Sequence, residues 1–573
     1  MDKYDILFLS PSRYYLSATN SYGHQCLSAY LYQESGITSR VYSGHINDTY
    51  RIIKREVEGG KTKIVGFYAL QDTVTVVTHM SRYLRKQGIM VIVGGPQAAV
   101  LTEEEIRNDF DYVLVGEGEI SLNRLMNYLI GIGKGNREGD TSAFLSVCDS
   151  LTSIRGLKYI DDKGVFRDNG PAECIQDLDM KSFFNVDWNL NPHFSQSNAL
   201  LVMTGRGCPF SCAFCHEGTV RSVRLRSVEN VLREIDCQRE YFPNLRVIEF
   251  GDDTFTLNIE RVKAIGEGLR ERGLVWICEA HVGMLYKHPE MIGIMVENGM
   301  ISIQLGIESG DPEVLRAYGK HTTPEMIEKV VKDLYDAGVK KIDGNVILGG
   351  AFETRESMER STEMALRLME IAPLVIEVNS LFYAPYPLTP MTTNPDRFDM
   401  EIVPKPFNYI LNSMHCCVNS TKSLTRGEIQ EGLAKHDERV AQKYKELLSR
   451  LTFTQYWNYI KDFPNYEMPN TMWKYHIKQI ENVWLFCKNA FRYNNLFDED
   501  AVPERTFQDL RYEGEALKAG GYLVTGNERR MLELASGAFT FRELEAEMGL
   551  SRKEICEIYA SLREKLLVYM NRF

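Results

Sequence analysis

The sequence is short of long apolar runs and of positive charge. No apolar stretch is long enough to cross a bilayer, and residues 1–5 lead into a short strand-like run rather than a signal peptide. We therefore expect a cytoplasmic protein with no membrane partner. Lys and Arg number 66 against 78 Asp and Glu, and the net charge is −12. This balance argues against nucleic acid as a partner, because binding a phosphate backbone needs concentrated positive charge.

Cysteine is also scarce. The 12 cysteines in 573 residues are too few for a disulfide framework. Three of them, Cys208, Cys212 and Cys215, stand in C-x3-C-x2-C spacing.

The chain is too long for one hydrophobic core, and its length predicts about three or four domains. Its contents of hydrophobic residues, 44 %, and charged residues, 25 %, are typical of globular domains.

The three spaced cysteines predict a metal centre. Three thiolates on one loop can hold three irons of a [4Fe–4S] cube and leave the fourth iron open for chemistry. The alternative is zinc, but zinc takes four ligands, and the fourth would have to be His216 or a distant residue.

The spacing, together with the aromatic Phe214 before the last cysteine, closely resembles the radical S-adenosylmethionine (SAM) superfamily. The resemblance implies that Cys208, Cys212 and Cys215 bind a [4Fe–4S] cluster. It also implies that the open iron chelates SAM, that Phe214 lies at the SAM site, and that the reduced cluster cleaves SAM to a 5′-deoxyadenosyl radical.

The amino-terminal segment predicts a doubly wound parallel α/β sheet. Short apolar runs alternate with amphipathic stretches, as in Rossmann-like domains. The predicted strands are 5–10, 63–67, 90–94 and 112–116, and the predicted helices include 26–33 and 74–86. Ligands of such sheets bind at the carboxyl ends of the strands. Those ends are rich in glycine, which lets a ligand approach the backbone closely, although such turns also fit any flavodoxin-like domain.

The string at 91–97, followed by 111–119, resembles the cobalamin-binding domain that precedes many radical SAM domains. The resemblance implies a set of cobalamin-contacting residues, namely Ser10, Thr73, Gly94, Gly95, Pro96, Gly116 and Glu117. Asn20 stands where relatives with an Asp-x-His-x-x-Gly loop have the histidine that ligates cobalt. The resemblance therefore implies base-off cobalamin without that histidine ligand. We interpret the nearby His24 and His45 as ordinary surface or loop histidines.

The central segment repeats βα units, which predicts a partial TIM-like (β/α)6 barrel with its active face at the strand carboxyl ends. The predicted strands are 199–204, 246–250, 274–278, 301–305, 341–348 and 374–378, and the predicted helices include 228–241, 259–270, 289–297 and 324–336. By resemblance to radical SAM enzymes, the strand ends supply SAM contacts from Gly251, Asp252, Asp253, Glu308, Ser309 and Ile347. Taken singly, each acidic residue could instead be a solvated loop end or a helix cap.

The carboxyl-terminal third predicts a helical, aromatic substrate-recognition region followed by a winged-helix-like unit. Long amphipathic helices are expected over 424–495. The last residues are predicted to form helices over 528–534, 540–548 and 551–565 and a strand over 566–569. This unit weakly resembles leader-peptide-recognition domains. Over 522–573, eight Lys plus Arg balance eight Asp plus Glu, so DNA binding is not expected. The alternative is a structural appendage.

We thus expect five segments: a cobalamin-binding Rossmann-like domain at 1–135, a connector at 136–195, the radical SAM barrel at 196–385, the helical region at 386–520 and the winged-helix-like unit at 521–573. The order resembles cobalamin-dependent radical SAM enzymes over roughly residues 4–355. The resemblance implies a C-methyltransferase that acts on an unactivated carbon of a peptide or another natural-product precursor. It also implies an electron donor such as flavodoxin or ferredoxin. No catalytic side chain is assigned.

Two alternatives remain open at this point. An enzyme of the same architecture could use cobalamin without C-methylation by a radical, for rearrangement, ring contraction or non-radical methyl transfer. A protein of another class, a regulator that binds cobalamin or an iron–sulfur cluster, could also carry these motifs. The sequence does not specify the substrate.

Overall fold

A computed structural model describes residues 3–12, 22–70, 73–133, 150–180, 199–216, 222–243, 245–403, 417–450, 502–505, 511–513, 516–519, 522–535, 539–565 and 567–571. Asn20 and the part of the predicted helical stretch 424–495 beyond residue 450 lie outside these ranges. No helix within these ranges is both long and apolar enough to cross a bilayer.

The amino-terminal sheet has seven strands. In chain order these are β1 Ile6–Ser12, β2 Ser39–His45, β3 Ile64–Tyr68, β4 Met90–Gly94, β5 Tyr112–Leu114, β6 Leu157–Ile160 and β7 Phe166–Asp168. Their order in the sheet is β2-β1-β3-β4-β5-β6-β7, with the first five parallel and the last two antiparallel. The parallel sheet predicted from the sequence is confirmed. The three strands that the prediction lacked are β2, β6 and β7, and the last two extend the sheet into the predicted connector beyond residue 135.

Helices pack on this sheet. They are α1 Tyr22–Ser35, α2 Ile46–Ile52, α3 Val74–Lys86, α4 Glu103–Asp109 and α5 Glu119–Gly133. Helix α3 has the predicted bounds and buries Val74, Val77, Met80 and Leu84. Their spacing of three and four residues places them on one helix face. The strand predicted over 112–116 is β5, and it ends at Leu114. Gly116 has a φ of +91°, so the chain is no longer extended there.

The central sheet has six parallel strands and agrees with the predicted barrel strands. They are β8 Ala199–Val202, β11 Val247–Phe250, β12 Val275–Ala280, β13 Met300–Glu308, β14 Lys341–Leu348 and β15 Ile376–Phe382. They lie side by side in chain order, from β8 to β15. A two-stranded hairpin, β9 Gly205–Arg206 with β10 Arg224–Leu225, brackets the cysteine segment.

Helices connect these strands and share a core with them. They are α6 Val228–Gln238, α7 Ile259–Glu271, α8 Val282–Lys287, α9 Glu290–Glu297, α10 Pro312–Ala317, α11 Pro324–Asp336 and α12 Arg355–Ile371. The core includes Ile248, the fully buried Trp276 and Ile303 on neighbouring strands. The Trp276 indole N–H donates to the Asn298 carbonyl at 2.8 Å, which satisfies the polar atom of this buried ring.

Beyond the barrel, α13 Pro390–Thr393 and the hairpin β16 Met400–Ile402 with β17 Asn419–Thr421 precede α14 Arg426–Ser449, which packs on α12. The terminal unit contains strands β18 Val502–Arg505, β19 Arg511–Glu513, β20 Ala516–Ala519, β21 Tyr522–Val524 and β22 Val568–Asn571, and helices α15 Gly526–Leu534, α16 Phe541–Met548 and α17 Arg552–Glu564. Strands β18 to β20 fall in the region predicted to be helical, so the terminal sheets begin before residue 521. The winged-helix identity of this unit stays a prediction.

Candidate radical SAM active site

The segment that leads from β8 to the cysteines is fixed at Thr204. Its N–H and hydroxyl both donate to the buried carboxylate of Asp252, which follows β11. Its carbonyl accepts from the Arg226 N–H at 2.9 Å and from Arg261 Nη2 at 2.8 Å. Burial raises the pKa of Asp252, although the bonds from Thr204 oppose that shift. Asp252 therefore holds the start of the cysteine loop, and its predicted SAM contact stays a prediction.

The cysteine loop is attached to the ends of several barrel strands. The Ala213 N–H donates to the Tyr318 carbonyl at 2.8 Å, and the Ala213 carbonyl accepts from the Met391 N–H at 3.1 Å. The Phe210 ring stacks on His281, which follows β12, with ring centroids 3.9 Å apart. Cys208 Sγ lies 3.4 Å from Thr254 Oγ1, in the turn after β11. The three cysteines are partly exposed on the loop that these contacts hold.

The donor set fits an iron–sulfur cube. In such a cube each thiolate ligates a different iron, so the three sulfurs need not converge on one point. Zinc needs four ligands around one ion, and no group of three or more such side chains converges in the described part of the chain. His216 already donates from Nδ1 to the Pro387 carbonyl at 3.0 Å. Burial raises the pKa of the Cys212 thiol to about 11, and Lys320 opposes this rise.

A buried ion pair lies beside Cys212. Glu308 is the last residue of β13 and has a φ of +64°, which is rare for a residue other than glycine. Its Oε1 lies 3.0 Å from Lys320 Nζ, and that ammonium also donates to the Gly306 carbonyl at 3.2 Å. Burial lowers the pKa of Lys320, but Glu308 raises it overall. Lys320 was not predicted, and it places a fixed positive charge next to the predicted SAM contact Glu308.

The other predicted SAM residues divide into two groups. Phe214 and Ile347 share one apolar cluster with Tyr318 and Tyr383, and the Phe214 and Tyr318 rings meet edge to face at 5.2 Å. This apolar surface suits a flat base such as adenine. The hydroxyl of Ser309 is fully buried and lies 3.1 Å from the Ser361 hydroxyl, so it supports the turn after β13.

Gly251 and Asp253 flank Asp252 at the end of β11. A Cβ at Gly251 would lie 2.8 Å from the Leu201 side chain, so this position has no room for a side chain. Asp253 is only partly buried. The structure thus brings Gly251, Asp253, Phe214, Glu308 and Ile347 to the same carboxyl end of the barrel.

Glu353 is a buried carboxyl in the loop after β14. Burial raises its pKa to about 7 from an ordinary value near 4.5, even though Ser357 Oγ donates to it at 2.7 Å. The folded protein therefore holds this proton more tightly than the unfolded chain does. The resulting stability is complete below pH 4.5 and is lost as the pH rises towards 7.

We expect Glu353→Gln to raise the free energy of unfolding at pH 8 by about 3 kcal/mol, and with it the melting temperature, because the amide needs no proton to stay neutral. Most of this gain should disappear at pH 5. Thermal unfolding at both pH values measures the difference. The control is Glu356→Gln, an exposed first-turn residue of α12, which should give no gain. An equal gain at pH 5 and pH 8 would contradict the assignment.

The predicted cobalamin residues gather at one edge of the first sheet. Ser10 lies two residues before the end of β1, Thr73 follows β3, Gly94 ends β4 and is followed by Gly95 and Pro96, and Gly116 and Glu117 follow β5. These four strands are adjacent in the sheet. The Thr73 hydroxyl is buried and accepts from the Leu70 N–H at 3.2 Å, so it supports the local turn. Ser10 is buried as well.

The interpretation of His24 as a surface or loop histidine was wrong. It lies in the first turn of α1 and is buried, with its Nδ1 3.0 Å from Ser10 Oγ and its ring stacked on Phe8 at 4.8 Å. Burial lowers its pKa to about 3, so the ring is neutral near pH 7. Helix α1 begins four residues earlier than predicted and carries His24 into the sheet. His45 is the last residue of β2.

Gly95 and Gly94, at this edge of the sheet, differ in how much room each leaves for a side chain. Gly95 has a φ of +95°, and a Cβ there would lie 2.9 Å from the Ala69 carbonyl, so the fold itself requires glycine. Among the described residues, a Cβ at Gly94 would meet only the Leu114 carbonyl, at 3.8 Å. The space beside Gly94 fits a ligand that lies against the sheet edge, as the predicted corrin would.

Glu117 has protein partners. Its carboxylate pairs with Arg206 Nη1 at 3.0 Å and with Arg224, while Glu119 pairs with Arg206 Nη2. Arg206 and Arg224 belong to the β9–β10 hairpin that brackets the cysteines, and neither arginine was predicted as functional. The sheet edge and the cysteine loop are therefore in direct contact.

Residues 202–365 match the family model of the Radical SAM superfamily. This segment contains the cysteine loop and the ends of β11 to β14, where the predicted SAM residues lie. The fold and the site thus define a radical SAM domain, whose implied cofactors are a [4Fe–4S] cluster and SAM.

The chain is similar to the uncharacterized methyltransferase PH0819 of Pyrococcus horikoshii, with 30% identity over 308 residues, or 52% of this chain and 62% of the relative. The match thus spans about three fifths of that relative's length. Together with the radical SAM domain, this similarity marks the chain as an enzyme.

Two solved structures share the fold. One is the cobalamin-dependent S-adenosylmethionine radical enzyme OxsB with aqua-cobalamin and S-adenosylmethionine bound, with a TM-score of 0.51, 18% identity, and 69% of this chain and 56% of that chain covered. The other is the radical S-adenosylmethionine methyltransferase TsrM from Kitasatospora setae with cobalamin and a [4Fe–4S] cluster bound, with a TM-score of 0.53, 17% identity, and 68% and 77% covered. The arrangement of a parallel sheet before a radical SAM barrel is therefore shared with both.

Proposed function

We propose that the chain is a cobalamin-dependent radical SAM C-methyltransferase that acts on an unactivated carbon of a peptide or another natural-product precursor. The observation that carries the proposal is the contact between the cysteine loop and the carboxyl edge of the first sheet, through Arg206 and Glu117. This contact brings the predicted cluster site and the predicted corrin site to one side of the molecule.

In this proposal the chain binds and orients its cofactors rather than supplying an acid or a base. When bound, SAM would supply a 5′-deoxyadenosyl radical that removes a hydrogen atom, and methylcobalamin would supply the methyl group. Cys208, Cys212 and Cys215 hold the cluster, Glu308 and Lys320 present paired charges to the amino-acid end of SAM, and the apolar cluster around Phe214 takes the base. The proposed chemistry requires that water be kept from the radical.

The substrate would bind at the inner face of the barrel near the carboxyl ends of the strands, where polar side chains lie. Glu249, Glu279 and Gln304 lie on the strand faces opposite the buried Ile248 and Ile303, and Glu279 and Gln304 are direct neighbours across β12 and β13. The surrounding protein and Glu249 raise the pKa of Glu279 to about 7. Sequence reasoning missed these side chains because each stands inside a strand rather than at its end.

A peptide substrate is supported by the terminal unit, in which three helices pack against short antiparallel strands around one apolar core. An exposed strand edge can pair with an extended peptide. A small-molecule substrate is the other possibility, and an electron donor such as flavodoxin or ferredoxin would reduce the cluster.

The function is tested by anaerobic reconstitution of the full chain with iron, sulfide and hydroxocobalamin, followed by mass spectrometry of candidate precursors. About four irons and one corrinoid per chain, and a product that gains one CH2, are expected. Uptake of iron without corrinoid would contradict the proposal.

Gly94→Val tests the corrin site separately. Among the described residues, the added Cβ would have only the Leu114 carbonyl within 4 Å, at an ordinary contact distance of 3.8 Å, so we expect the fold and the iron content to stay unchanged. Corrinoid uptake should fall at least about tenfold if the ligand lies against this strand end, measured from the visible absorbance after gel filtration. Unchanged corrinoid uptake would remove Gly94 from the site. Gly131→Val, on α5 with open space around its Cβ position, is the matched control.

A second candidate is an enzyme with the same cofactors that does not methylate. The fold is shared with OxsB, a cobalamin-dependent S-adenosylmethionine radical enzyme, and this fold is compatible with either candidate. An unchanged product mass or a loss of hydrogen would support this candidate, and a gain of one CH2 would exclude it.

A further inference from the structure

Four charged residues join the first sheet to the cysteine loop. Arg206 bridges Glu117 at 3.0 Å and Glu119, and Arg224 contacts both oxygens of Glu117. We name these four residues the interdomain clamp. The two glutamates lie just after β5, and the two arginines are direct partners in the β9–β10 hairpin. The clamp therefore links the predicted corrin site, at the end of the first sheet, directly to the predicted cluster site in the cysteine loop.

The position of the arginines gives the clamp a direct effect on the cluster loop. Arg206 stands two residues before Cys208, and Arg224 stands on the strand that returns from the loop. The hairpin closes the loop at its base, so the clamp acts on the two points where the chain enters and leaves the cysteine segment. The Arg224 guanidinium also donates to the Ile175 carbonyl, which fixes the connector to the same point.

Burial makes the clamp different from a surface ion pair. The Glu119 and Arg224 side chains are only 6 % and 8 % exposed, and Glu117 is 20 % exposed. Exposed pairs contribute little because water screens them, whereas a partly buried pair fixes geometry and is costly to break. The charges of Arg206 and Arg224 are close together, and Glu117 lies between them as their shared partner.

We propose that Glu117, together with Glu119, is a positioning residue that fixes the cysteine loop against the sheet edge and so sets the separation between the cluster and the corrin. This inference rests on the proposed function. Both carboxylate oxygens of Glu117 are held by arginine, and the cobalamin contact predicted for Glu117 stays a prediction. Glu117 acts through the arginines and takes no part in the chemistry.

The test compares the full-length wild type with Glu117→Gln. In the protein without cofactors, hydrogen exchange of the β9–β10 amides should be at least about tenfold faster in the variant. In protein loaded with iron, sulfide and hydroxocobalamin and then reduced, the cluster and Co(II) are both paramagnetic. Their dipolar coupling, measured by pulsed electron paramagnetic resonance, should weaken or spread over a broader distribution in the variant, at unchanged iron and corrinoid content.

Two variants control the experiment. Glu103→Gln breaks an exposed pair with Arg107 in the same domain and should change neither measurement. Glu119→Gln removes only the ion pair between Glu119 and Arg206. It should shift both measurements in the same direction as Glu117→Gln, by a smaller amount. If Glu117→Gln fails to fold, Glu119→Gln takes its place in the test.

Dipolar coupling that is identical in the wild type and in Glu117→Gln overturns the inference, whatever the exchange rates show, because the separation is then set elsewhere. If the wild type binds iron but no corrinoid, the proposed function fails. The exchange measurement then decides alone: faster exchange supports the clamp as the contact that holds the loop, and unchanged exchange overturns it.

Discussion

Cys212→Ser should abolish the iron–sulfur absorbance and reduce SAM cleavage by at least about a thousandfold. The loop offers three thiols for three irons, so the loss of one leaves the cube with two protein ligands. Lys320 lies close to Cys212, and a Cβ at Gly319 would lie 3.2 Å from the Ser211 carbonyl oxygen, so the loop has little free space on this side. A serine hydroxyl at this position has nearly the same size, so the loop can keep its shape. Anaerobic reconstitution, iron analysis and quantification of 5′-deoxyadenosine measure the loss.

Cys237→Ser is the matched control for this experiment. Cys237 lies in α6, is partly buried like the loop cysteines, and stands far from them in sequence. This variant should keep about four irons per chain and the SAM cleavage of the wild type. If Cys212→Ser kept a full complement of iron and cleaved SAM normally, the assignment of the loop as the cluster site would be wrong.

The barrel could be predicted from the sequence because short apolar runs recur between amphipathic helical stretches. The run 246–250 contains three large apolar residues, and 341–348 ends with three more, which is typical of parallel strands covered by helices. The missed strands have the opposite character. Phe166–Asp168 has only three residues, and Ser39–His45 has polar residues on an edge of the sheet, so neither gives a strong apolar signal.

The sequence motifs predict which residues lie at the site, but not which partners their side chains contact. Strand ends placed Glu308, Asp252 and Gly94 on the correct edges, since parallel strands end together. The partner of each side chain depends on the fold. Lys320 lies twelve positions beyond Glu308, where a lysine is typical of a solvated turn, and only the return of the chain after α10 brings its ammonium to Glu308. Likewise, a sequence gives no sign that Glu117 meets Arg206, 89 positions away.

Glu308→Gln should weaken SAM binding at least about tenfold and lower the stability of the protein. The Glu308 and Lys320 side chains are 9 % and 6 % exposed, so a neutral amide at position 308 leaves a buried ammonium without the negative charge that it pairs with. Breaking a buried pair from one side typically costs about 3–5 kcal/mol. Thermal unfolding measures the stability, and equilibrium dialysis with SAM on cluster-loaded protein measures the affinity.

The double variant Glu308→Gln with Lys320→Met separates the two effects. Replacing both partners removes the unpaired charge, so stability should recover most of the loss. SAM binding should stay weak, because neither charge remains to meet the ammonium and carboxylate of the ligand. Asp336→Asn, which breaks an exposed pair with Lys332, should change neither property. If the double variant bound SAM as tightly as the wild type, the pair would serve only to hold the end of β13, and the charged contacts to SAM would have to come from elsewhere, with Asp253 as the next carboxylate on the same barrel edge.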